Sequence, residues 1–177
     1  MRIVHNLRKI LALACLTGAL YALTPTASHA SELRQGTLTG GAGIGFLGNT
    51  PDGTAFALNF NADYFLNSQV SVGPLAQFAF TGDLFQMGLS GQVKYWFSLP
   101  GTDSRLKFNV QGGLGFLYAD RFASDTSWLI PIGVGAEYKL NDNLTLTSTF
   151  LLNFTDVNTG RGTDASVMPG LTFGVRF

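Results

Sequence analysis

The chain has 177 residues and a formal net charge of zero, and only 12% of its residues are charged, while 22 are Gly and 15 are Phe. Soluble domains carry about 25% charged residues, so this composition excludes an ordinary water-exposed surface. All 11 acidic residues but only 8 of the 11 basic residues follow residue 30, which gives that part a net charge of −3. This negative balance predicts that nucleic acid is not a partner.

Residues 1–30 have the organisation of a cleavable secretory signal peptide. The first nine residues include the basic residues Arg2, Arg8 and Lys9, and residues 10–23 are almost wholly apolar. Ser28-His29-Ala30 ends in a small-x-small pattern. The apolar stretch is shorter than the ~20 residues that a membrane-spanning helix needs. We therefore predict cleavage after Ala30, which leaves residues 31–177 as a single domain without His or Cys.

After residue 36 the sequence contains no stretch with apolar residues at helical spacing. Apolar residues instead alternate with small or polar ones in eight runs separated by turn-forming residues, and a period of two indicates β-strands. Each run has about 10 to 14 residues, a length that suits a strand crossing a bilayer at a tilt. The predicted strands span residues 36–46, 54–66, 70–80, 84–97, 106–119, 128–140, 144–154 and 165–177.

The two faces of each predicted strand differ in polarity. In the second strand, Phe56, Phe60 and Tyr64 share one face, while Asn59 and Asp63 share the other. The polar faces are rich in Gly, Thr, Ser, Asn and Gln but poor in Lys and Glu, which suits the crowded lumen of a narrow barrel. We therefore predict an all-β fold, an eight-stranded antiparallel up-and-down transmembrane β-barrel with its apolar face toward lipid. A soluble lipocalin-like barrel, with the apolar face inward, is the alternative.

The predicted connections alternate in length, which is typical of up-and-down membrane barrels. Tight turns are predicted at residues 67–69 and 141–143, and a longer turn at 100–103 on the same side. Loops are predicted on the opposite side at 48–53, 81–83, 120–127 and 155–164. An even number of strands places both termini beside the short turns, on the expected periplasmic side. Tyr and Trp prefer the headgroup level of a bilayer. The predicted interfacial aromatics are Tyr64, Tyr95 and Tyr138 near short turns, and Tyr118 and Trp128 near a loop.

The last predicted strand carries a sharper pattern, with Leu171, Phe173, Val175 and the final Phe177 at alternate positions. With this pattern, the region after the signal peptide resembles the small eight-stranded outer-membrane barrels of the OmpA and OmpX type. The resemblance implies a protein of the Gram-negative outer membrane whose last strand is read by the barrel-assembly machinery during insertion. It also implies outer-membrane lipid and lipopolysaccharide as partners. The sequence contains no segment like the periplasmic peptidoglycan-binding domain of OmpA.

Neither enzymatic activity nor a cofactor is predicted. Lipid-modifying barrels of this size rely on a His beside a Ser and a carboxylate, and without His a nucleophilic Ser lacks a general base. The segment from Gly43 to Gly48 matches the dinucleotide pattern G-x-G-x-x-G. That motif needs a helix beginning at its end, and an alternating strand follows instead. No metal or cofactor site is therefore expected.

Several charged residues lie on the polar faces near the short turns, where the alternation directs side chains into the lumen. Charges in a narrow interior must be paired or hydrogen-bonded. We therefore predict a salt-bridge network that plugs the barrel, formed by Asp63, Lys94, Lys107, Glu137, Lys139 and Arg176.

The predicted function is a structural or envelope-stabilising role with a closed lumen. The excess of basic over acidic lumen residues suggests a narrow, weakly anion-preferring pore for small solutes as the first alternative, although side chains nearly fill an eight-stranded barrel. A surface-binding protein is the second alternative, and the short loops leave little surface for it. The sequence indicates neither a ligand nor an oligomeric state.

Overall fold

The computed structural model describes residues 33–177, which form one closed antiparallel barrel. The strands are β1 (Leu38–Thr50), β2 (Gly53–Phe65), β3 (Val70–Phe80), β4 (Phe85–Phe97), β5 (Leu106–Asp120), β6 (Ser124–Lys139), β7 (Thr145–Asn158) and β8 (Asp164–Arg176). Each strand pairs with the next, and the barrel closes where β8 pairs with β1. The predicted fold class is confirmed. The predicted signal peptide and its cleavage site lie outside the described residues.

No helix among residues 33–177 is long and apolar enough to cross a membrane.

The two ends of the barrel differ in their connections. One end of the barrel, here called the terminal end, holds the start of β1 and the end of β8. It also holds the β2–β3, β4–β5 and β6–β7 connections. The opposite end, here called the hairpin end, holds the other four. Only Pro51 and Asp52 connect β1 to β2, whereas the β4–β5 connection at the terminal end spans residues 98–105. The predicted contrast between short turns at one end and long loops at the other is therefore wrong.

The strands continue beyond their predicted boundaries at the hairpin end. β6 begins at Ser124 instead of residue 128, and β7 continues to Asn158 instead of residue 154. Within these extensions Ser124 pairs with Asp120, and Asp125 with Ala119. The extensions carry Ser, Thr and Asp on the face that is apolar elsewhere. The hydrophobic alternation therefore stops although the backbone pairing continues.

The outer face of the barrel is apolar and the inner face is packed. Ile44, Leu114 and Phe173 point outward with exposed fractions of 58%, 71% and 59%. The inward side chains of Leu117 and Gln92 are almost fully buried. This arrangement is the one predicted and is the reverse of a soluble barrel. Such a wall suits lipid, where closure of the sheet also leaves no strand edge unpaired.

Inward-facing glycines let neighbouring strands approach closely. A Cβ atom at Gly73 on β3 would collide with the carbonyl oxygen of Ala62 on β2. At Gly91, which faces outward on β4, a Cβ atom would meet nothing within 4 Å. The curvature of this narrow barrel therefore requires glycine at the first position and not at the second.

Candidate functional site

Two buried ion pairs cross the lumen near the terminal end. Lys94 on β4 approaches Asp63 on β2, with 2.9 Å between Nζ and Oδ2. Arg176 on β8 approaches Glu137 on β6, with 2.7 Å between Nη2 and Oε2 and 2.8 Å between Nε and the same oxygen. All four side chains are at most 10% exposed. Four of the six predicted lumen charges are thus brought together.

The Asp63 carboxylate has several donors besides Lys94. The side-chain amide of Asn61 donates to Oδ2 over 2.6 Å, and the Ser71 hydroxyl donates to Oδ1 over 3.5 Å. Ser71 in turn accepts a hydrogen bond of 2.9 Å from Nε1 of Trp96. Because both carboxylate oxygens have donors, this charge is tolerated away from water.

Trp96 closes the lumen beside these pairs. The residue is almost completely buried, and its ring centroid lies 5.9 Å from Lys94 Nζ and 5.5 Å from Arg176 Cζ. Phe65, also buried, packs against it with 5.6 Å between ring centroids. Cations are attracted by the face of an indole ring. Trp96 therefore joins the two ion pairs into one plug.

Trp96 and Phe65 were not predicted as lumen residues from the sequence. The alternation that places the charged residues on the inner face also applies to these two residues. Trp96 follows Lys94 by two positions, and Phe65 follows Asp63 by two positions. In each case the alternation places both residues on the same inner face. The preference of aromatic residues for the bilayer interface obscures this signal near strand ends.

Lys107 and Lys139 lie at the rim of the terminal end, outside the buried network. Lys107 Nζ donates to the Ser98 hydroxyl over 3.3 Å. Lys139 Nζ pairs with Asp142 at 2.9 Å in an exposed position. Long Lys side chains near strand ends reach water while their stems stay packed. The predicted network of six residues is therefore corrected to four, and these four hold no excess of base.

A further ion pair lies in the β4–β5 connection at the terminal end. Arg105 Nη2 lies 3.0 Å from Asp103 Oδ2, and both side chains are exposed. Hydrogen bonds from Arg105 lower the pKa of the Asp103 carboxyl. Exposed pairs of this kind add little stability.

The half of the lumen toward the hairpin end is filled by apolar side chains, here called the apolar layer. Leu117, Leu129 and Met168 are each at most 1% exposed. The whole layer consists of Leu47, Ala55, Ala57, Ala79, Leu84, Leu117, Ala119, Leu129, Val157, Ala165 and Met168. This layer was not predicted from the sequence, because seven of the strands contribute only one or two such residues each to an otherwise polar face. β4 contributes none, and Leu84 lies in the β3–β4 connection.

The lumen between the apolar layer and the ion pairs is almost filled. The side-chain amide of Gln77 donates to Oδ1 of Asn153 over 3.0 Å. A cavity of about 10 Å³ lies beside this pair and is lined also by Leu47, Asn59 and Thr172. A cavity of this size has room for about one water molecule.

The predicted interfacial aromatics lie on the outer wall in two groups. Tyr64, Tyr95 and Tyr138 lie near the terminal end, and Tyr118 and Trp128 near the hairpin end. Their placement fits two belts at the bilayer surfaces, and that role stays a prediction.

The predicted assembly signal lies on β8 and the residue that follows it, and the G-x-G-x-x-G segment lies on β1. The assembly residues Leu171, Phe173 and Val175 face outward on β8, and the backbone of Phe177 exchanges two hydrogen bonds of 2.9 Å with Gly40. Their role in assembly stays a prediction. The G-x-G-x-x-G segment lies entirely within β1. In the described part of the chain, no three His, Cys, Asp or Glu residues lie close enough together to hold a metal ion.

No protein-family model matches the sequence, and no curated protein matches it. Solved structures are similar in fold. Neisserial surface protein A is 19% identical, with a TM-score of 0.59 and coverage of 78% of this chain and 94% of that one. The N-terminal β-barrel domain of Pseudomonas aeruginosa OprF is 17% identical, with a TM-score of 0.55 and coverage of 81% and 98%. The outer membrane protein OprG of Pseudomonas aeruginosa is 15% identical, with a TM-score of 0.54 and coverage of 84% and 98%.

The geometry and these similarities define the class of protein: the chain is a small eight-stranded β-barrel with the fold of outer-membrane proteins. The predicted resemblance is confirmed at the level of the fold, and the apolar outer wall fits the predicted location in the outer membrane. Within this fold, its particular feature is a lumen closed by an apolar layer at one end and by two ion pairs around Trp96 at the other.

Proposed function

We propose that this chain is a structural protein of the bacterial outer membrane whose barrel does not conduct. The closure of the lumen by two layers carries the proposal. One is the apolar layer, and the other is the terminal plug, formed by Asp63, Lys94, Trp96, Glu137 and Arg176. On this proposal the barrel stabilises the envelope through its contacts with outer-membrane lipid and lipopolysaccharide.

The apolar layer is the stronger barrier to an ion. An ion entering it loses its water, and Leu117, Leu129 and Met168 supply no charged group in exchange. These side chains are packed, and a packed interior resists separation. The terminal plug is a second barrier, because opening it breaks a buried ion pair.

The proposal is tested by single-channel recording of the refolded mature chain in a planar bilayer. Folding is checked first by the change in gel mobility on heating. We expect no discrete openings under conditions in which a conducting porin, the positive control, gives clear steps. Reproducible openings from the folded chain would contradict the proposal.

A narrow pore is the second candidate, and one observation favours it. Oε1 of Gln92 and Oδ1 of Asn109 are buried without a hydrogen-bond partner among residues 33–177, and such atoms are ready acceptors for water. A pore would change its conductance in a Lys94→Ala variant. A closed barrel would stay silent in the same variant and lose stability instead. The balanced charges of the terminal plug give no support to an anion preference.

We also propose that the chain is not an enzyme and that the terminal end faces the periplasm. Residues 33–177 contain no His to serve a nucleophilic Ser as general base. The even number of strands puts the start of β1 and the end of β8 at one end of the barrel. In up-and-down barrels of the outer membrane this is the periplasmic end, which leaves the hairpin end at the cell surface.

A further inference from the structure

The β7–β8 connection, residues 159–163, is a fixed turn at the hairpin end. The carbonyl oxygen of Thr159 accepts a hydrogen bond of 3.0 Å from the Ala123 amide, which ties the turn to the β5–β6 connection. The Asp125 carboxylate accepts a hydrogen bond of 2.8 Å from the Asn158 amide, just before the turn. The two neighbouring hairpin tips therefore hold each other in place.

The centre of this turn has an unusual backbone conformation. Gly160, Arg161 and Gly162 have φ angles of 83°, 56° and 74°. A positive φ is common for glycine and disfavoured for a residue with a Cβ atom. A third glycine would remove the strain at Arg161, so its presence there points to a function of its side chain.

The guanidinium of Arg161 is held over an aromatic ring. Its Cζ lies 4.5 Å from the ring centroid of Phe122, and Cζ of Arg121 lies 4.7 Å from the same centroid. Arg121 is already engaged, because it pairs with Asp52 and donates to the carbonyl oxygen of Pro51. Phe122 is 48% exposed. The ring therefore positions Arg161 and leaves it open to solvent.

Unlike Arg121, Arg161 has guanidinium N–H groups that are not engaged in an ion pair among residues 33–177. Within the described residues its guanidinium takes part in no salt bridge, and the backbone N–H groups of Arg161 and Gly162 donate no hydrogen bond. A guanidinium stacked on a ring keeps its planar N–H edges free, and such an edge matches two oxygens of a phosphate. Successive N–H groups of a turn supply further donors to an anion.

We propose that Arg161, its neighbouring N–H groups and Phe122 bind a phosphate group carried by a glycolipid of the outer leaflet. Phe122 lies in the β5–β6 connection, just beyond the end of β5 at Asp120. From Tyr118, one of the outer-wall aromatics, to Asp120 the tilted strand rises by about 5 Å, so Phe122 lies a short distance above Tyr118. With the hairpin end at the cell surface, this height corresponds to the phosphorylated headgroup sugars of the outer leaflet. The inference rests on the proposed function, which places the hairpin end at the cell surface.

The binding test uses the full mature chain folded in detergent micelles. The probe is fluorescently labelled lipopolysaccharide without its outer polysaccharide, and binding is followed by fluorescence anisotropy. Arg161→Gly removes the guanidinium and relieves the positive φ, so this variant should fold at least as well as the wild type. We expect it to bind the probe about tenfold more weakly, because charge-assisted hydrogen bonds are lost.

Arg105→Ala is the matched control, because it removes one exposed Arg at the opposite end of the barrel. We expect it to bind the probe as the wild type does. Arg161→Lys keeps the charge without the planar edge and should restore only part of the affinity. Removal of the phosphates from the probe should abolish the difference between the wild type and Arg161→Gly.

Equal binding of the phosphorylated probe by the wild type and Arg161→Gly would overturn the proposal. Displacement of the probe by inorganic phosphate at the same phosphate concentration would also overturn it, because the site would then belong to free phosphate. Failure to displace the probe under these conditions supports a lipid-borne group.

A separate experiment tests which end of the barrel faces the cell surface. It distinguishes failure of the proposed phosphate site from failure of the proposed orientation. Gly82→Cys in the β3–β4 connection, where a Cβ meets nothing within 4 Å, and Ser104→Cys in the β4–β5 connection are treated in intact cells with a membrane-impermeant maleimide. We expect labelling of the Gly82→Cys variant alone. Labelling of the Ser104→Cys variant alone would overturn the proposed orientation and the outer-leaflet ligand, whatever the result in micelles.

Discussion

The buried ion pairs show how single residues control the stability of this barrel. Asp63 and Lys94 have side chains that are 1% and 10% exposed, so removal of one charge leaves the other without water or a counter-ion. We predict that Asp63→Asn lowers the free energy of unfolding by about 3 kcal/mol, because Lys94 stays charged and unpaired. The measurement is urea unfolding of the refolded chain in lipid vesicles.

The control for this prediction is the double variant that combines Asp63→Asn with Lys94→Met. An apolar side chain in place of the buried ammonium removes the unpaired charge, so the double variant should regain much of the lost stability. A double variant as unstable as Asp63→Asn alone would show that the ion pair is not the source of the effect.

At the scale of the strand, close approach of backbones limits which residues fit the inner face. We predict that Gly73→Ala lowers the free energy of unfolding by about 2 kcal/mol, because its Cβ would press against the Ala62 carbonyl of the neighbouring strand. Gly91→Ala is the matched control on the outer face of β4, and its effect should stay within about 0.5 kcal/mol. Equal losses in the two variants, measured by the same unfolding experiment, would argue against this account of the curvature.

The strands and their faces were predictable because lipid outside and packing inside impose a strict period of two on each strand. The ends of the strands were not predictable. The alternation of apolar residues stops where a strand leaves the lipid layer, as at Ser124, but the backbone pairing continues beyond that point. Alternation placed the lumen charges on the correct face. It could not show that Lys107 and Lys139 reach the rim, because reach depends on side-chain length and strand position.

The molecule as a whole combines a lipid-facing wall with an interior filled largely by side chains. A lipid-facing wall needs few charges, which accounts for the low charged fraction of 12%. The four charges buried in the lumen form two ion pairs. The apolar layer and the terminal plug divide the lumen by polarity. The apolar layer comes from seven strands and the terminal plug from β2, β4, β6 and β8, so both layers form only when the barrel closes.

The most direct test of a closed lumen inside a lipid-facing wall uses the two Trp residues of the chain, Trp96 in the terminal plug and Trp128 on the outer wall. Trp96→Phe and Trp128→Phe variants, refolded in vesicles, each leave one fluorophore. We predict that brominated lipid quenches Trp128 much more strongly than Trp96, and that aqueous acrylamide leaves Trp96 nearly unquenched. Acrylamide quenching of Trp96 in the folded barrel at the level of the urea-unfolded chain would contradict the closed lumen.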